Sequence, residues 1–473
     1  MRAIRKDGLV FEIYEDGRAA VIRNEGNETV TVPSEIEGTP VTIFCFDLGE
    51  IDVKKIILPA SVETFAIISY FEHNIQIEID EKNPYLYSDG KAVYTKDRSE
   101  LIYFLAHEDE EYTVLPDCKT IGADAFHKAP KLRRVVLPKG LTDIGEMAFS
   151  RMSALKEIDL ENVKHIGTMA FEHSVELEKV SLKCDSIGER AFCFCEGLTE
   201  AELDCGIISN SAFQYCKNLQ KVILKNTREI GNEAFSETEK LTEIILPPEL
   251  EDIEDSAFYR SGIKALTIPK TVRRIGREIA DYNATEIHIY DNIETDIRRD
   301  HDISPSGYVL YVHSAETDEI KYAVPVLGYA ADPEYGYSEH DRIVDMFAGG
   351  VNFDFKEYDR YFDRLTENYV SSAKFEASRL RLRYGYELDE DMRRKYEECI
   401  RRQGPYVIAY YIEYSEYNSK DIRGLFDPEL YNYLSIEQIL EIIDKSARNN
   451  LTEYTAFLLR ICNEKNARPE TPL

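Results

Sequence analysis

The stretch SIGERAFCFCEGLTEAELDCGIISNSAFQYCKNLQKVIL, residues 186–224, carries four of the chain's nine cysteines. Thiols at that density suit three kinds of chemistry: zinc ligation, disulfide formation, or the filling of an apolar interior. Zinc requires a C-x2-C pair or an equivalent, and "CFC" (193–195) followed by single cysteines gives a poor tetrahedral set. Glu200, Glu202 and Asp204 alternate nearby, a grouping of carboxylates like the acid and base of a hydrolase. In a chain with 88 acidic residues, such clusters arise without chemistry. There is no glycine-rich phosphate loop and no H-E-x-x-H, and the nine histidines include no i, i+4 pair. His340 beside Asp341 reads as a solvated linker pair, and residues 281–302 lack the spaced ligands of a calcium loop. The expectation is a non-enzyme, with no catalytic, cofactor or metal residues.

The elements that position these cysteines repeat. Ile-Gly-x-x-Ala-Phe or a close variant begins at Ile121, Ile144, Ile166, Ile187, Ile208, Ile230 and Ile253, with a degenerate copy at Ile275. The steps are 23, 22, 21, 21, 22, 23 and 22 residues, the mark of a stacked array. Between the blocks runs L-x-x-V/I-x-L, whose alternation fits a short strand with one buried face. The Ile-Gly-x-x-Ala-Phe block fits a tight turn followed by a helical turn. Each repeat then supplies one strand and one short helical return to a parallel sheet.

The cysteines follow that period. Cys118, Cys184 and Cys205 each precede the repeat isoleucine by three residues, and Cys195 and Cys216 follow the repeat phenylalanine by three. Adjacent turns lie about 4.8 Å apart, within disulfide reach for Cys184 and Cys205. An odd cysteine count in a cytosolic chain argues for core filling instead. Phe126, Phe149, Phe171, Phe192, Phe213, Phe235 and Phe258 read as an inward stack, each costing about 3–5 kcal/mol on truncation to alanine.

The "IGxxAF…C…L…V.L" repeat resembles the bacterial leucine-rich repeat family of the BspA type, over residues 7–290. The opening segment 7–46 and the "NPYLYSDGKAVY" insertion (83–94) are similar to that family's entry strands and hairpin. Asp89-Gly90 is placed in a type I′ turn. "FAIISYF" (65–71) and Asn74 depart from the pattern and blur the early turns. The implied fold is a leucine-rich repeat solenoid over 1–290, with an N-terminal hairpin cap and a hairpin insertion near 83–104. The resemblance implies a protein-binding role, and many members are surface or secreted adhesins.

Residues flanking the buried valine face outward. One column reads Arg134, Glu157, Lys179, Glu200, Lys221, Glu243, Ala265, Glu286, with alternating signs that suit a structural ladder. The other reads Val136, Asp159, Ser181, Glu202, Ile223, Ile245, Thr267, His288. From it Val136, Asp159, Glu202, Ile223, Ile245 and Thr267 are the candidate partner-binding residues, on the concave face that solenoids use.

Past residue 290 the period vanishes. A connecting strand and linker occupy 291–340, with "GYVLYVHS" (307–314) as the strand and 332–341 as the linker. An all-α domain follows over 341–473, rich in tyrosine. Helical spacing appears at 354–369, 371–384, 388–403 and 404–414, with Asp389 as an N-cap and Pro405 opening the next helix. Ser435 and Gln438 form a capping box, and residues 436–465 resemble an ankyrin-like helix pair. This block is expected to cap the array's apolar end, with its tyrosines as a second binding surface.

Net charge is −31, which repels phosphate backbones and anionic lipid headgroups. The expected partner is a protein, with no nucleic acid and no membrane insertion, and a monomer is favoured. Neither a signal peptide nor an apolar run of 18 residues is evident, so the expected location is the cytoplasm, or the cell surface for a trimmed chain. The sequons at Asn27, Asn283 and Asn450 carry no meaning in a bacterial cytosol.

Overall fold

The computed structural model describes residues 2–47, 52–68, 74–276, 279, 286–295, 308–326, 371–386, 388–413 and 425–467, together with Phe355, Tyr358, Asp359 and Phe362. The chain divides into two compact units. The first holds residues 1–263 and 278–280; the second holds 264–277 and 281–473.

The first unit opens with an antiparallel meander of Arg2–Lys6, Leu9–Ile13 and Ala19–Asn24. Asp7 and Gly8 both lie at positive φ, 52° and 74°, which makes this two-residue connection the type I′ turn of the chain's start. Asp89-Gly90, expected to be of that type, is not. Only Gly90 has positive φ, and Asp89 Oδ1 instead accepts from the backbone of Lys91 and Ala92 in a longer loop.

Parallel rungs follow. Thr29–Thr31, Lys55–Leu58 and Gln76–Ile79 stack in register, as do Thr39–Asp47 and Thr64–Ile67, so stacking begins well before the repeat motif is legible. From residue 111 each rung carries two ladders. The L-x-x-V-x-L strand pairs with its counterpart 21 to 23 residues on, and the repeat isoleucine makes a second short bridge. In Lys179–Ile187 and Glu200–Ile208 the two merge into one nine-residue strand.

The return segments are successive tight turns, without a continuous helix. Two residues per rung take left-handed φ near 55°: Met147, Met169 and Arg190 in one column, Arg151, His173 and Phe194 in the other. Each such conformation costs on the order of 1 kcal/mol or more. Hydrogen bonds to the next rung offset it. Met147, Phe149 and Arg151 donate their N–H groups to the carbonyls of Thr168, Ala170 and Glu172, at 2.7–2.9 Å. Strain and ladder are parts of one arrangement. The Ile-Gly glycine is fixed by contact: a Cβ on Gly167 would lie 2.6 Å from the Gly145 carbonyl carbon, so rungs stack backbone on backbone. The Ala-Phe pair is buried in every rung from 125 to 258.

In the second unit, Ala265–Thr267, Glu286–Tyr290 and Tyr308–His313 pair in parallel with one another, and Ile320–Val326 turns back antiparallel. The helix Ser371–Tyr384 packs on that last strand, with Tyr384 edge-on to Tyr311 at 6.2 Å. Helical residues therefore cover the final strand within this unit. Arg381 is buried and forks onto Asp359 at 3.2 and 3.1 Å, while Tyr396 donates to the same carboxylate at 2.5 Å. Both charges are paired, as burial demands.

Residues 388–413 do not form two helices. Asp389 caps the start by accepting from Met392 N–H at 2.8 Å, and one helix runs Glu390–Glu413 through Pro405. Proline removes the N–H that would have reached the Arg401 carbonyl. Gln438 Nε2 donates to that carbonyl at 3.1 Å instead, which lets the helix continue. The same Gln438 closes the capping box with Ser435. Helices Ile436–Arg448 and Thr452–Ala467 form the final pair. The linker 332–341, with His340 and Asp341, lies outside the described residues. So do most of 354–369, Phe355, Tyr358, Asp359 and Phe362 excepted, and most of 281–302.

Candidate functional site

The repeat phenylalanines are fully buried. Phe126 to Phe258 stack ring on ring at 4.9–5.7 Å, with planes within 8° of parallel. They are an interior column with no access for a ligand.

The cysteines serve that interior in two ways. Cys195 and Cys216 point their Sγ–H groups at the carbonyls of Phe171 and Phe192, one rung back, both at 3.1 Å. Ser174 does the same to Phe149 at 2.8 Å, so this position supplies a donor to the phenylalanine carbonyl. Burial pushes the Cys118 and Cys193 thiols up to about 11 and raises Cys195 and Cys216 as well. Buried and protonated at neutral pH, these thiols are poor nucleophiles. Cys184 and Cys205 depart from the expectation of free thiols. They are buried, sit directly opposite in parallel register with Cα atoms 4.8 Å apart, and are joined as a disulfide. The register delivers the disulfide reach that the repeat spacing implies, and this outweighs the odd cysteine count and the expected compartment.

Within the first unit the outward columns lie on one strand face. Ser181, Glu202, Ile223 and Ile245 are neighbours in successive strands. Ile245 is 82% exposed, the most exposed large apolar side chain among the described residues, while Ile223 beside it is half-buried. Val136 and Asp159 are also exposed on this face, and Thr267 is exposed on its own strand in the second unit.

One pair lies in the charged column and two contacts lie beside it. Lys179 Nζ meets Glu200 at 3.0 Å and Lys225 meets Glu202 at 2.5 Å; Asp204 accepts from Asn226 at 2.6 Å. The Lys179 ammonium hydrogen-bonded to Glu200 holds that carboxyl below the usual carboxylate range. A general acid needs a shift in the other direction.

One surface feature escaped the sequence reading. His173, Phe194 and Tyr215 stack in a second, partly exposed column at 4.5 Å spacing. They occupy the left-handed position two residues after each repeat phenylalanine. Its signal was three successive aromatics at one repeat offset, masked by the lysine, arginine and glutamate that fill it elsewhere.

Stacked parallel strands, a buried phenylalanine column and tight-turn returns define a leucine-rich repeat solenoid. The family model for the BspA type leucine rich repeat region matches residues 119–207 and 206–298, and this repeat region belongs to that family. No curated protein matches the sequence. Among solved structures, a leucine-rich repeat protein from Eubacterium ventriosum is 19% identical, with a TM-score of 0.41, covering 55% of this chain and 94% of its own. A leucine rich cell surface protein from Faecalibacterium prausnitzii is 15% identical, with a TM-score of 0.33 and coverage of 62% and 90%. A leucine-rich repeat protein from Bacteroides ovatus is 19% identical, with a TM-score of 0.30 and coverage of 61% and 95%. No described helix is long and apolar enough to cross a membrane.

Proposed function

We propose that the chain is a non-enzymatic scaffold that binds another protein through the open strand face, with the tyrosine-rich helical region as a second contact. The observation that carries this reading is Ile245, 82% exposed beside Ile223, with the Lys179–Glu200 and Lys225–Glu202 pairs on the neighbouring strands. An apolar centre with a polar rim is the anatomy of a protein-binding patch. Net charge of −31 favours a protein over nucleic acid or an anionic lipid surface. Val136, Asp159 and Glu202 extend the proposed contact along the strands of the first unit, and Thr267 is a separate proposed contact on the second. The division of labour we propose is a binding array to residue 290, a connector to 340 and a helical domain beyond. The test is affinity capture with the full chain and with Ile223→Glu/Ile245→Glu. Loss of the captured protein, with an unchanged melting temperature, is expected; undiminished capture removes this face as the binding surface.

The Cys184–Cys205 disulfide favours a second reading, a secreted or surface-held adhesin, because such bonds persist in oxidising compartments. Finding the native protein only in the cytosolic fraction sinks it.

A further inference from the structure

We propose that His288 and His313 form a two-imidazole site for a divalent transition-metal ion of the zinc, nickel or copper type. The strands Glu286–Tyr290 and Tyr308–His313 run parallel, with His288 opposite Tyr311 and Tyr290 opposite His313. The two histidines are therefore diagonal neighbours on one face, and His288 Nδ1 comes within 2.9 Å of His313 Nε2.

Each ring turns its far nitrogen towards an oxygen. His313 Nδ1 lies 3.1 Å from the Asp318 carbonyl, and His288 Nε2 lies 3.8 Å from Glu286 Oε2. A carbonyl only accepts, so His313 carries its proton on Nδ1 and presents the Nε2 lone pair to His288. His288 Nδ1 donates its proton to that lone pair, so without an ion the two rings share an ordinary hydrogen bond. An ion that takes the place of this proton, with the His288 proton moved to Nε2 on the Glu286 side, meets two converging ring nitrogens. A far nitrogen held by a carbonyl, as at His313, is an arrangement that orients metal-bound imidazoles. Tyr311 stacks on His288 at 4.5 Å and Tyr290 packs on His313 at 5.4 Å, which limits ring rotation.

Two nitrogens bound at ~2.1 Å to a tetrahedral ion stand about 3.4 Å apart, so seating the ion needs about half an ångström of opening. Both side chains are partly exposed, which permits that movement and lets water complete the coordination. No group of three or more His, Cys, Asp or Glu suited to a metal exists among the described residues, so the proposed site has two protein ligands alone. Imidazole nitrogens select zinc, nickel or copper over magnesium or calcium.

The experiment titrates ZnCl2, and separately NiCl2, into the chelator-treated full chain at neutral pH by calorimetry. One saturable equivalent is expected, weakened on the order of 10-fold or more in both His288→Asn and His313→Asn. Absence of saturable uptake, or unchanged affinity in both variants, overturns the proposal. A second measurement uses the unaltered protein, so loss of fold in a variant does not decide the outcome. Substoichiometric Ni2+ should broaden the imidazole NMR signals of His288 and His313 first; broadening confined to other histidines overturns the assignment.

Discussion

His127 illustrates how a single side chain can tie stability to pH. Its Nδ1 is buried without a hydrogen-bond partner, and desolvation, aided by the nearby Lys128 and Arg151 cations, pushes the imidazole down to about 4. In the unfolded chain it titrates near 6.5. Between these values the unfolded state binds the extra proton, so the stability from keeping His127 neutral is complete above pH 6.5 and lost as pH falls towards 4. Urea midpoints at pH 7.5 and pH 5 should therefore drop further for the natural chain than for His127→Gln. Parallel drops would show that the ring titrates freely in the folded state. Nothing in the sequence distinguished His127, because its burial arises from a return turn whose conformation no motif announces. The repeat phenylalanines were legible at this scale for the opposite reason: they recur, and recurrence alone places them inside.

At the scale of the rung, the Ile-Gly-x-x-Ala-Phe block combines close approach, left-handed turns and a donor ladder. Gly167→Ala would push a Cβ to 2.6 Å from the Gly145 backbone, whereas a Cβ on Gly140 would meet nothing within 4 Å. The first substitution should cost about 1–3 kcal/mol, as overpacking does, and the second less than about 0.5 kcal/mol. Thermal unfolding of the two variants checks this, and equal midpoints would refute backbone contact at the glycine. The sequence displayed the period, the strands and the capping box at Ser435. It concealed the left-handed residues, because lysine, arginine, methionine and tyrosine all fill them. It also misplaced the break at Pro405. The compensating donor, Gln438, sits 33 residues away, and only tertiary packing brings it to the Arg401 carbonyl.

For the chain as a whole, the Cys184–Cys205 bond has a direct readout. Cys45 and Cys399 are half-buried, and the five other free cysteines are buried. Alkylation of the native chain should mark Cys45 and Cys399 first, and peptide mapping without reductant should recover 184 and 205 linked. Quantitative alkylation of Cys184 and Cys205 in unreduced protein would exclude the bond. The candidate binding face was readable because outward columns follow from strand alternation alone. Exposure along it was not, since Ile223 and Ile245 occupy equivalent places yet differ in how far neighbours cover them.

The abutting glycines carry a consequence for descent. Backbone resting on backbone leaves no slack for a stray residue inside the Ile-Gly-x-x-Ala-Phe block, since one insertion there would put every following layer out of step. Relatives of this chain should therefore differ in length by whole multiples of 21–23 residues through the array, with odd-sized insertions confined to the corners between layers.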